Sequence, residues 1–385
     1  MLSLTLSFFS FYCITAVVSP YLPVMVHNLG YSYKMTGALL ALYEVAAIVG
    51  PLLVAMWIDK SGRMKRSVLL CTILSTAGMA LLMFSTSIST AALALVLFAL
   101  TYRSIMPAMD SYANNHFDGN PSQYSLVRSV GTAGFILFSL FFAATQRPDL
   151  KDNVDIGRWA LICIIVFALL VMTWKSEPRQ SAVLVTAAGE GRPWYDRAFI
   201  VGMVIIALNR FSHSAVTSFF SLFLVEEVGS NAISLMSAIS AGSEFFAMIG
   251  AGILLQRKRV LPYHLFLASG LAMVARLLIY ALFPSFRGVV VAQLLHSLAY
   301  GAFHPAAIFF VARRVRRERR TLGMSIYASL GTGLPSVVGT LLGGAIVDHY
   351  GYATLFTTYA GVAALSLVVA LLFSRTMHQP PLEEV

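Results

Sequence analysis

Long apolar runs alternate with short polar segments along almost the whole chain. We count twelve such runs, each near the ~20 residues that a helix needs to cross ~30 Å of hydrocarbon. Within the runs, apolar positions are continuous rather than alternating with polar ones, which favours helices over the strands of a membrane barrel. The pattern predicts an all-α polytopic membrane protein. Its predicted spans, numbered 1 to 12, cover residues 2–26, 35–58, 67–86, 91–114, 127–145, 157–174, 198–226, 232–255, 262–283, 287–312, 321–347 and 352–374.

Composition excludes an ordinary water-soluble domain, because 58% of the 385 residues are hydrophobic and only 11% are charged. Soluble domains carry about 25% charged residues. The net charge of +10 does not indicate nucleic-acid binding, because the basic residues are concentrated in the short segments between spans. With both termini in the cytoplasm, inner segments carry nineteen basic residues and outer segments five, as the positive-inside rule requires. We therefore expect a multi-pass protein of a bacterial-type inner (plasma) membrane, in contact with lipid and without a nucleic-acid partner.

The longest polar segment, 175–197, lies between spans 6 and 7 and contains Pro178, Gly189, Gly191 and Pro193. Such a density of proline and glycine is typical of a linker. We expect an N-terminal six-helix bundle over 1–174, a cytoplasmic linker over 175–197, a C-terminal six-helix bundle over 198–374 and a disordered tail over 375–385.

Three short motifs of the first half recur in the second half at offsets of 198 to 200 residues. They are Glu44 and Gly50 with Glu244 and Gly250, Met106-Pro-Ala with His304-Pro-Ala, and Ser129-Val-Gly-Thr with Ser329-Leu-Gly-Thr. Both copies begin on the same side of the membrane. The sequence therefore predicts two parallel six-helix repeats, related by an axis along the membrane normal, with substrate held between them at the midplane.

Ionisable residues inside spans cost about 2.5–3.5 kcal/mol each on insertion scales, so they are expected in pairs or beside water. In the second half, Glu244, Arg276 and His296 lie roughly 18, 11 and 14 Å from the outer ends of spans 8, 9 and 10. They would meet near the middle of the bilayer. A low dielectric favours the protonated form of Glu244, whereas a nearby guanidinium favours its ionised form. A movement of Arg276 would therefore release a proton from Glu244. A static ion-pair cluster is the alternative.

In the first half, span 4 carries Arg103 and Asp110 seven residues apart, and hence on one face. Arg128 follows at the start of span 5, and Glu44 is a further intramembrane charge. Asp110 and Arg128 are either a salt bridge that closes the segment between the two spans or a pair that binds substrate. Hydropathy alone places both near the cytoplasmic end of their spans.

Guanidinium groups outnumber carboxylates in the spans. Apart from Arg158, Glu226 and Arg287 at the outer ends of spans 6, 7 and 10, the carboxylates are Glu44, Asp110 and Glu244, and the guanidiniums are Arg103, Arg128, Arg210 and Arg276. One arginine remains when every carboxylate is ionised, and its planar fork suits a carboxylate ligand. The balance favours an anionic substrate.

Short motifs spread over the whole chain are distinctive. They are Ser19-Pro20-Tyr-Leu-Pro23, Pro107-Ala-Met-Asp110, Tyr124-Ser-Leu-Val-Arg128-Ser-Val-Gly131, Arg210-Phe-Ser-His213, Ser243-Glu244, Val274-Ala-Arg276, Leu294-Leu-His296, His304-Pro305 and Gly343-Gly344-Ala-Ile-Val-Asp348-His349-Tyr-Gly351. With them, the chain resembles the major facilitator superfamily, in the branch that contains lactose permease, nucleoside:proton symporters and 3-phenylpropionate permease. The segment Asp59-Lys-Ser-Gly62-Arg63 has the Asp-Lys-x-Gly-Arg pattern found between helices 2 and 3 of the superfamily.

The resemblance implies roles for the charged residues. In lactose permease relatives, the residues that match Asp110 and Arg128 contact substrate in a central cavity, which places both deeper than hydropathy does. Those that match Glu244, Arg276 and His296 belong to the substrate-linked proton site.

Two departures from lactose permease concern the charges. Lactose permeases have a glutamate one turn after His296, where this chain has Ala299, so Glu244 is the expected proton carrier. Arg103 adds a positive charge where sugar carriers are neutral, which fits an acid better than a sugar.

The 3-phenylpropionate permease branch is the closer match, because it has histidines at the positions of His213, His296 and His304. We expect Arg210 and His213 to bind substrate with Asp110, Arg128 and Arg103, and His304 to take part in proton coupling.

The charged segment after span 2 is expected to act as a cytoplasmic gate through Asp59, Gly62 and Arg63. The alternative is a basic loop that only sets topology, with which Lys65 and Arg66 agree equally well.

We predict a secondary active transporter, a proton-coupled symporter that imports a small organic solute, an aromatic or other carboxylate, by alternating access. The alternatives are a sugar or nucleoside proton symporter, a proton-driven exporter and a non-transporting membrane sensor. No His-rich motif, nucleophile elbow or phosphate loop indicates an enzyme. Cys13, Cys71 and Cys163 lie in spans at unrelated spacings, so we expect no metal site. We expect a monomer with no cofactor other than the coupling proton.

Overall fold

The computed structural model describes residues 2–117, 120–175, 195–316 and 319–380, so most of the predicted linker lies outside the described residues. The helices are α1 (Leu2–His27), α2 (Tyr33–Ser61), α3 (Met64–Met83), α4 (Ile88–His116), α5 (Pro121–Thr145), α6 (Asn153–Met172), α7 (Arg197–Glu226), α8 (Ile233–Gln256), α9 (Pro262–Leu282), α10 (Phe286–Leu294), α11 (Phe303–Arg314), α12 (Arg320–Ile326), α13 (Leu334–Leu372) and α14 (Ser374–Met377). Two π-helical turns, Ser297–Ala302 and Tyr327–Gly333, join α10 to α11 and α12 to α13.

Eleven helical segments within the described residues are long and apolar enough to cross a membrane. The last of them, Arg320–Leu372, has 53 residues. It turns at Gly351, whose φ of 77° and ψ of 178° interrupt α13, and it therefore supplies two spans. The predicted all-α polytopic fold with twelve spans is confirmed. Spans 11 and 12 differ from the prediction in that a single glycine, rather than a loop, separates them.

The chain divides into two compact units. Unit 1 consists of Met1–Leu184 with Asn231–Ala238, and unit 2 consists of Val185–Ser230 with Ile239–Val385. The first division point falls inside the predicted linker, in a stretch outside the described residues. The assignment of Asn231–Ala238 to unit 1 was not predicted.

Glycines allow close approach of helices within each unit. In unit 1, a Cβ atom added to Gly50 of α2 would collide with the backbone of Leu100 on α4. In unit 2, a Cβ atom added to Gly301 would lie 2.9 Å from the carbonyl oxygen of Glu244. Small residues at such positions are the usual means of packing membrane helices, which have little hydrophobic drive to associate.

The charged segment after span 2 is mostly helical rather than a loop, which corrects the prediction. Helix α2 continues through Asp59 to Ser61 and ends at Gly62, which has a left-handed φ of 62° and donates its N–H to Ile58 O. Glycine adopts this conformation without the penalty that a Cβ atom would bring. Helix α3 begins two residues later, at Met64.

The chain after Ser374 also differs from the prediction of a disordered tail. Residues Ser374–Met377 form α14. Arg314 donates hydrogen bonds to the carbonyl oxygens of Met377, Gln379 and Pro380 at 3.1, 2.6 and 3.2 Å. These contacts order the segment as far as Pro380, and residues 381–385 lie outside the described part.

Candidate functional site

A buried hydrogen-bond chain in unit 2 joins three helical segments. Glu244 on α8 places Oε2 3.2 Å from Nε2 of His296, which follows α10. The other ring nitrogen of His296, Nδ1, lies 2.8 Å from Nη1 of Arg276 on α9. Arg276 is 1% exposed and His296 7%. The structure thus brings together the three residues whose depths in the membrane were matched from the sequence.

The chain fixes the protonation state of His296. A guanidinium has only donors, so Nδ1 of His296 accepts from Arg276 and carries no proton. Its Nε2 then carries the ring proton and donates to the Glu244 carboxyl group. His296 is therefore neutral in this arrangement. It gains a second proton only if Arg276 moves away from Nδ1.

The remaining hydrogen bonds of Arg276 go to neutral groups. Its Nε donates to Tyr280 Oη at 3.1 Å, and its Nη2 donates to Gln293 Oε1 at 2.7 Å. No carboxylate lies within ion-pair distance of Arg276 among the described residues. The carboxylate of Glu244 lies on the far side of the His296 ring, bound to its other nitrogen.

Tyr300, which the sequence analysis missed, is central to the packing of this region. Its ring stacks on His296 with centroids 5.4 Å apart and on His304 at 5.6 Å. The three residues are spaced by four, a spacing that puts side chains on one helical face and was visible in the sequence. They span the π-helical turn Ser297–Ala302, and such turns occur frequently at functional sites.

Helix α7 adds two of the predicted residues. The His213 ring stacks on His296 at 5.5 Å and on Tyr300 at 5.1 Å, and Cζ of Arg210 lies 5.3 Å from the Tyr300 centroid. His304 Nδ1 lies 3.4 Å from Oη of Tyr327 in the second π-helical turn. We name these connected residues the unit 2 cluster: Arg210, His213, Glu244, Arg276, His296, Tyr300 and His304.

In unit 1, Asp110 on α4 and Arg128 on α5 form an ion pair of 2.7 Å between Oδ2 and Nη1. Nη1 of Arg128 also donates to Tyr124 Oη at 2.6 Å, a partner that the sequence analysis missed although it lies four residues away. Both charged residues lie well inside their helices. Helices α4 and α5 extend beyond the predicted spans 91–114 and 127–145 at these ends, and the depth of the pair and its role in substrate binding stay predictions.

The remaining predicted residues of unit 1 are Arg103, Glu44 and the three residues of the proposed gate. Arg103 on α4 is close enough to Tyr43 and Tyr102 for electrostatic interaction. Glu44 on α2 is half-buried. Asp59 makes no hydrogen bond or ion pair with any residue that the structure describes, so the gating role of Asp59, Gly62 and Arg63 stays a prediction.

Unit 1 keeps the stacked rings of the repeat and a glutamate, Glu44, but not the arginine and the histidine of the hydrogen-bond chain. Phe98 and Tyr102 stack at 5.0 Å with planes 7° apart, and the residues 198 positions later are His296 and Tyr300, at 5.4 Å and 6°. At the repeat offsets of 198 and 200 residues, Arg276 corresponds to Gly78 or Thr76, neither of which is charged. The hydrogen-bond chain is therefore a feature of unit 2.

Comparison with known proteins gives relatives along most of the chain. The family model described as the MFS_1 like family matches residues 1–358. The uncharacterized transporter YwbF of Bacillus subtilis (strain 168) is 25% identical over 289 residues, which are 72% of this chain and 70% of YwbF. A maltose permease of Geobacillus stearothermophilus is 25% identical over 275 residues, which are 71% of this chain and 68% of the permease.

Solved structures share the fold. A mutant of the nucleoside transporter NupG has a TM-score of 0.84 and 16% identity, covering 98% of this chain and 99% of that one. A POT family transporter in complex with a thioalcohol conjugated peptide has a TM-score of 0.78 and 10% identity, covering 98% and 96%. At these identities the likeness shows the fold alone. Since the family model covers most of the sequence, the chain belongs to the MFS_1-like family and is a multi-pass secondary transporter of the major facilitator type, not an enzyme.

Proposed function

We propose that this transporter is a proton-coupled symporter that imports a small organic solute, with a carboxylate favoured, by alternating access. The observation that supports the proposal is the buried chain from Glu244 through neutral His296 to Arg276. Ionisable groups this deep in a membrane protein are costly, and they are typical of proton and substrate pathways.

Charge balance links the proton to the rest of the site. With Glu244 ionised, its negative charge offsets Arg276 across the His296 ring. When Glu244 takes up a proton, the buried guanidinium loses this compensation, and an anion in the vicinity becomes favourable. Departure of Arg276 from His296 Nδ1 would instead let His296 bind a proton. Either event makes protonation and the arrangement of the unit 2 cluster depend on each other.

A sugar or a nucleoside is the alternative substrate. The relatives include a protein named maltose permease and a nucleoside transporter. Asp110 Oδ1 is buried without a hydrogen-bond partner among the described residues, and a carboxylate oxygen accepts readily from a hydroxyl group. The excess of guanidinium groups favours the carboxylate. We also propose that the protein is a monomer of the inner membrane with both termini in the cytoplasm, and that the proton is its only coupling ion.

The test uses proteoliposomes that contain a pH-sensitive dye. Lactate, benzoate, phenylacetate, maltose and uridine are added outside one at a time, and internal acidification is recorded. Protein-free liposomes give the background from passive permeation of neutral acid. The proposal expects at least one solute to acidify the interior faster with protein present than in protein-free liposomes. It expects Glu244→Gln to abolish the signal while counterflow of the same solute persists.

Glu44 supplies a matched control, because it occupies the equivalent position of the first repeat. Glu44→Gln should retain solute-dependent acidification. Solute uptake without proton movement in the wild-type protein, or unchanged acidification by Glu244→Gln, would refute proton coupling at this site.

A further inference from the structure

Two buried polar atoms of the unit 2 cluster have no hydrogen-bond partner among the residues that the structure describes. Arg210 and His213 are three residues apart on α7 and therefore share a face. Both border the Tyr300 ring, at 5.3 Å from Cζ of Arg210 and 5.1 Å between ring centroids for His213. Nε of Arg210 and Nδ1 of His213 are buried, and neither finds a hydrogen-bond partner among the described residues. His213 is 5% exposed.

Buried polar atoms are normally hydrogen-bonded, and a charged group without a partner is the most costly exception. Such a group is explained when a ligand, an ion or water completes its hydrogen bonds. Arg210 has no carboxylate within ion-pair distance in the part of the chain that the structure describes. Arg128, by contrast, is already paired with Asp110.

We infer that Arg210 and His213 form the subsite for the carboxylate group of the substrate. One carboxylate oxygen accepts from Nε of Arg210 while the other accepts from a terminal N–H of the same guanidinium, which is the side-on fork that suits this group. Nδ1 of His213, in its protonated tautomer, donates to the same carboxylate. The inference rests on the proposed function. It locates anion binding in unit 2 rather than at the Asp110–Arg128 pair.

The subsite adjoins the proton site. The His213 ring stacks on His296 at 5.5 Å, and His296 Nε2 lies 3.2 Å from Glu244. When Glu244 is protonated, its negative charge is lost, and no described carboxylate lies within ion-pair distance of Arg210 or Arg276. A bound carboxylate supplies a negative charge there. Proton and anion therefore bind with positive cooperativity, and by linkage each raises the affinity for the other by the same factor.

Ligand binding is measured on purified full-length protein by thermal shift, because a ligand that binds the native state raises its apparent stability. The probes are acetate, lactate, benzoate and phenylacetate, each compared with its neutral amide. At least one acid is expected to stabilise the wild-type protein while its amide does not. If no acid does so, or if acid and amide act equally, the inference is wrong.

Variants separate binding from packing. Arg210→Gln should weaken binding of the acid at least ~30-fold, in the range for loss of a buried charged hydrogen bond. His213→Phe keeps a stacking ring without Nδ1 and should weaken binding, whereas His213→Asn keeps a polar group near that position and should restore it. Arg197→Gln is the control, since it removes a guanidinium of α7 that lies over a different ring, Phe373.

Failure of this inference differs from failure of the proposed function. If Arg210→Gln binds the acid as tightly as the wild type does, the carboxylate binds elsewhere, although proton coupling through Glu244 still stands. If Arg210 and His213 govern binding but wild-type proteoliposomes move the acid without protons, the subsite stands and symport is refuted.

Discussion

Nη1 of Arg276 and Nδ1 of His296 are 2.8 Å apart, and the hydrogen bond between them leaves His296 without a vacant basic nitrogen. The imidazole therefore connects a buried cation to the Glu244 carboxylate while remaining neutral itself. The energy of this connection can be measured, because glutamine can replace the charged residue at either end and keep a polar side chain.

A double-mutant cycle tests the charge balance. Arg276→Gln should destabilise the protein by about 1–3 kcal/mol, since it leaves His296 Nδ1 and Gln293 Oε1 without their buried donor. The double variant Arg276→Gln with Glu244→Gln should lose less stability than the two single variants lose together, by about 1–3 kcal/mol. The reason is that the double variant leaves neither charge behind. Unfolding in detergent, followed by tryptophan fluorescence, measures each variant. Additive effects would mean that Arg276 and Glu244 do not interact through His296.

The close packing at Gly301 should control the same contact. A Cβ atom there would lie 2.9 Å and 3.0 Å from the backbone oxygen and Cα of Glu244. Gly301→Ala should therefore move α8 away from His296, cost about 1–3 kcal/mol and lower solute-dependent proton uptake. Gly250→Ala is the control on α8, because nothing lies within 4 Å of its added Cβ atom. If Gly301→Ala and Gly250→Ala have the same melting temperature and the same proton uptake, the close contact at Gly301 does not control the position of α8.

The Asp110–Arg128 pair offers a test of binding against stability. The two side chains are 28% and 43% exposed, and pairs this accessible contribute only ~1 kcal/mol or less to folding. Asp110→Ala and Arg128→Ala should accordingly leave the melting temperature nearly unchanged, yet each should lose substrate binding if the pair lies in the substrate site. Binding and transport of any solute identified in the proteoliposome screen supply the measurement. Survival of transport in both variants would mean that the pair is structural.

Sequence predicts the all-helical fold and the number of spans, because membrane insertion depends on local hydropathy, which is read directly from the chain. It also places Glu244, Arg276 and His296 at similar depths, since helical rise per residue is constant. It does not identify Tyr300 or Gln293. Neutral polar side chains inside a span carry no large insertion penalty, so nothing marks them until their neighbours are known.

Other differences arise from contacts distant in the chain. Arg314 orders carbonyl groups more than sixty residues away, and composition alone suggested disorder there. The π-helical turns around Tyr300 and Tyr327 add backbone irregularity that a period of 3.6 residues does not predict. Gly62 and Gly351 were visible as glycines, but only the fold shows that each has a positive φ.

Arg314 should be one of the most sensitive positions outside the unit 2 cluster. It is 5% exposed, pairs with Asp196 at 2.9 Å and also donates to the three carbonyl oxygens of the C-terminal segment. Arg314→Gln should cost about 3–5 kcal/mol, as for other broken buried charge networks, and should expose the segment after Met377 to carboxypeptidase. Asp196→Asn keeps the carbonyl contacts and should leave the segment protected. Cleavage at equal rates in both variants would show that Arg314 does not hold it.

Gly351 should tolerate no side chain, because its φ of 77° and ψ of 178° lie in a region that is essentially restricted to glycine. Gly351→Ala should destabilise the protein by about 1–3 kcal/mol and weaken the turn that makes two spans of Arg320–Leu372. Gly361, ten residues later in α13, has no positive φ and nothing within 4 Å of an added Cβ atom. Gly361→Ala should therefore be neutral or stabilising by up to ~1 kcal/mol, since alanine favours helix more than glycine does. The measurement is the change in melting temperature of each variant relative to the wild type, in one detergent. The two changes have opposite signs if the turn depends on glycine, and the same sign if α13 can pass through residue 351 as an ordinary helix.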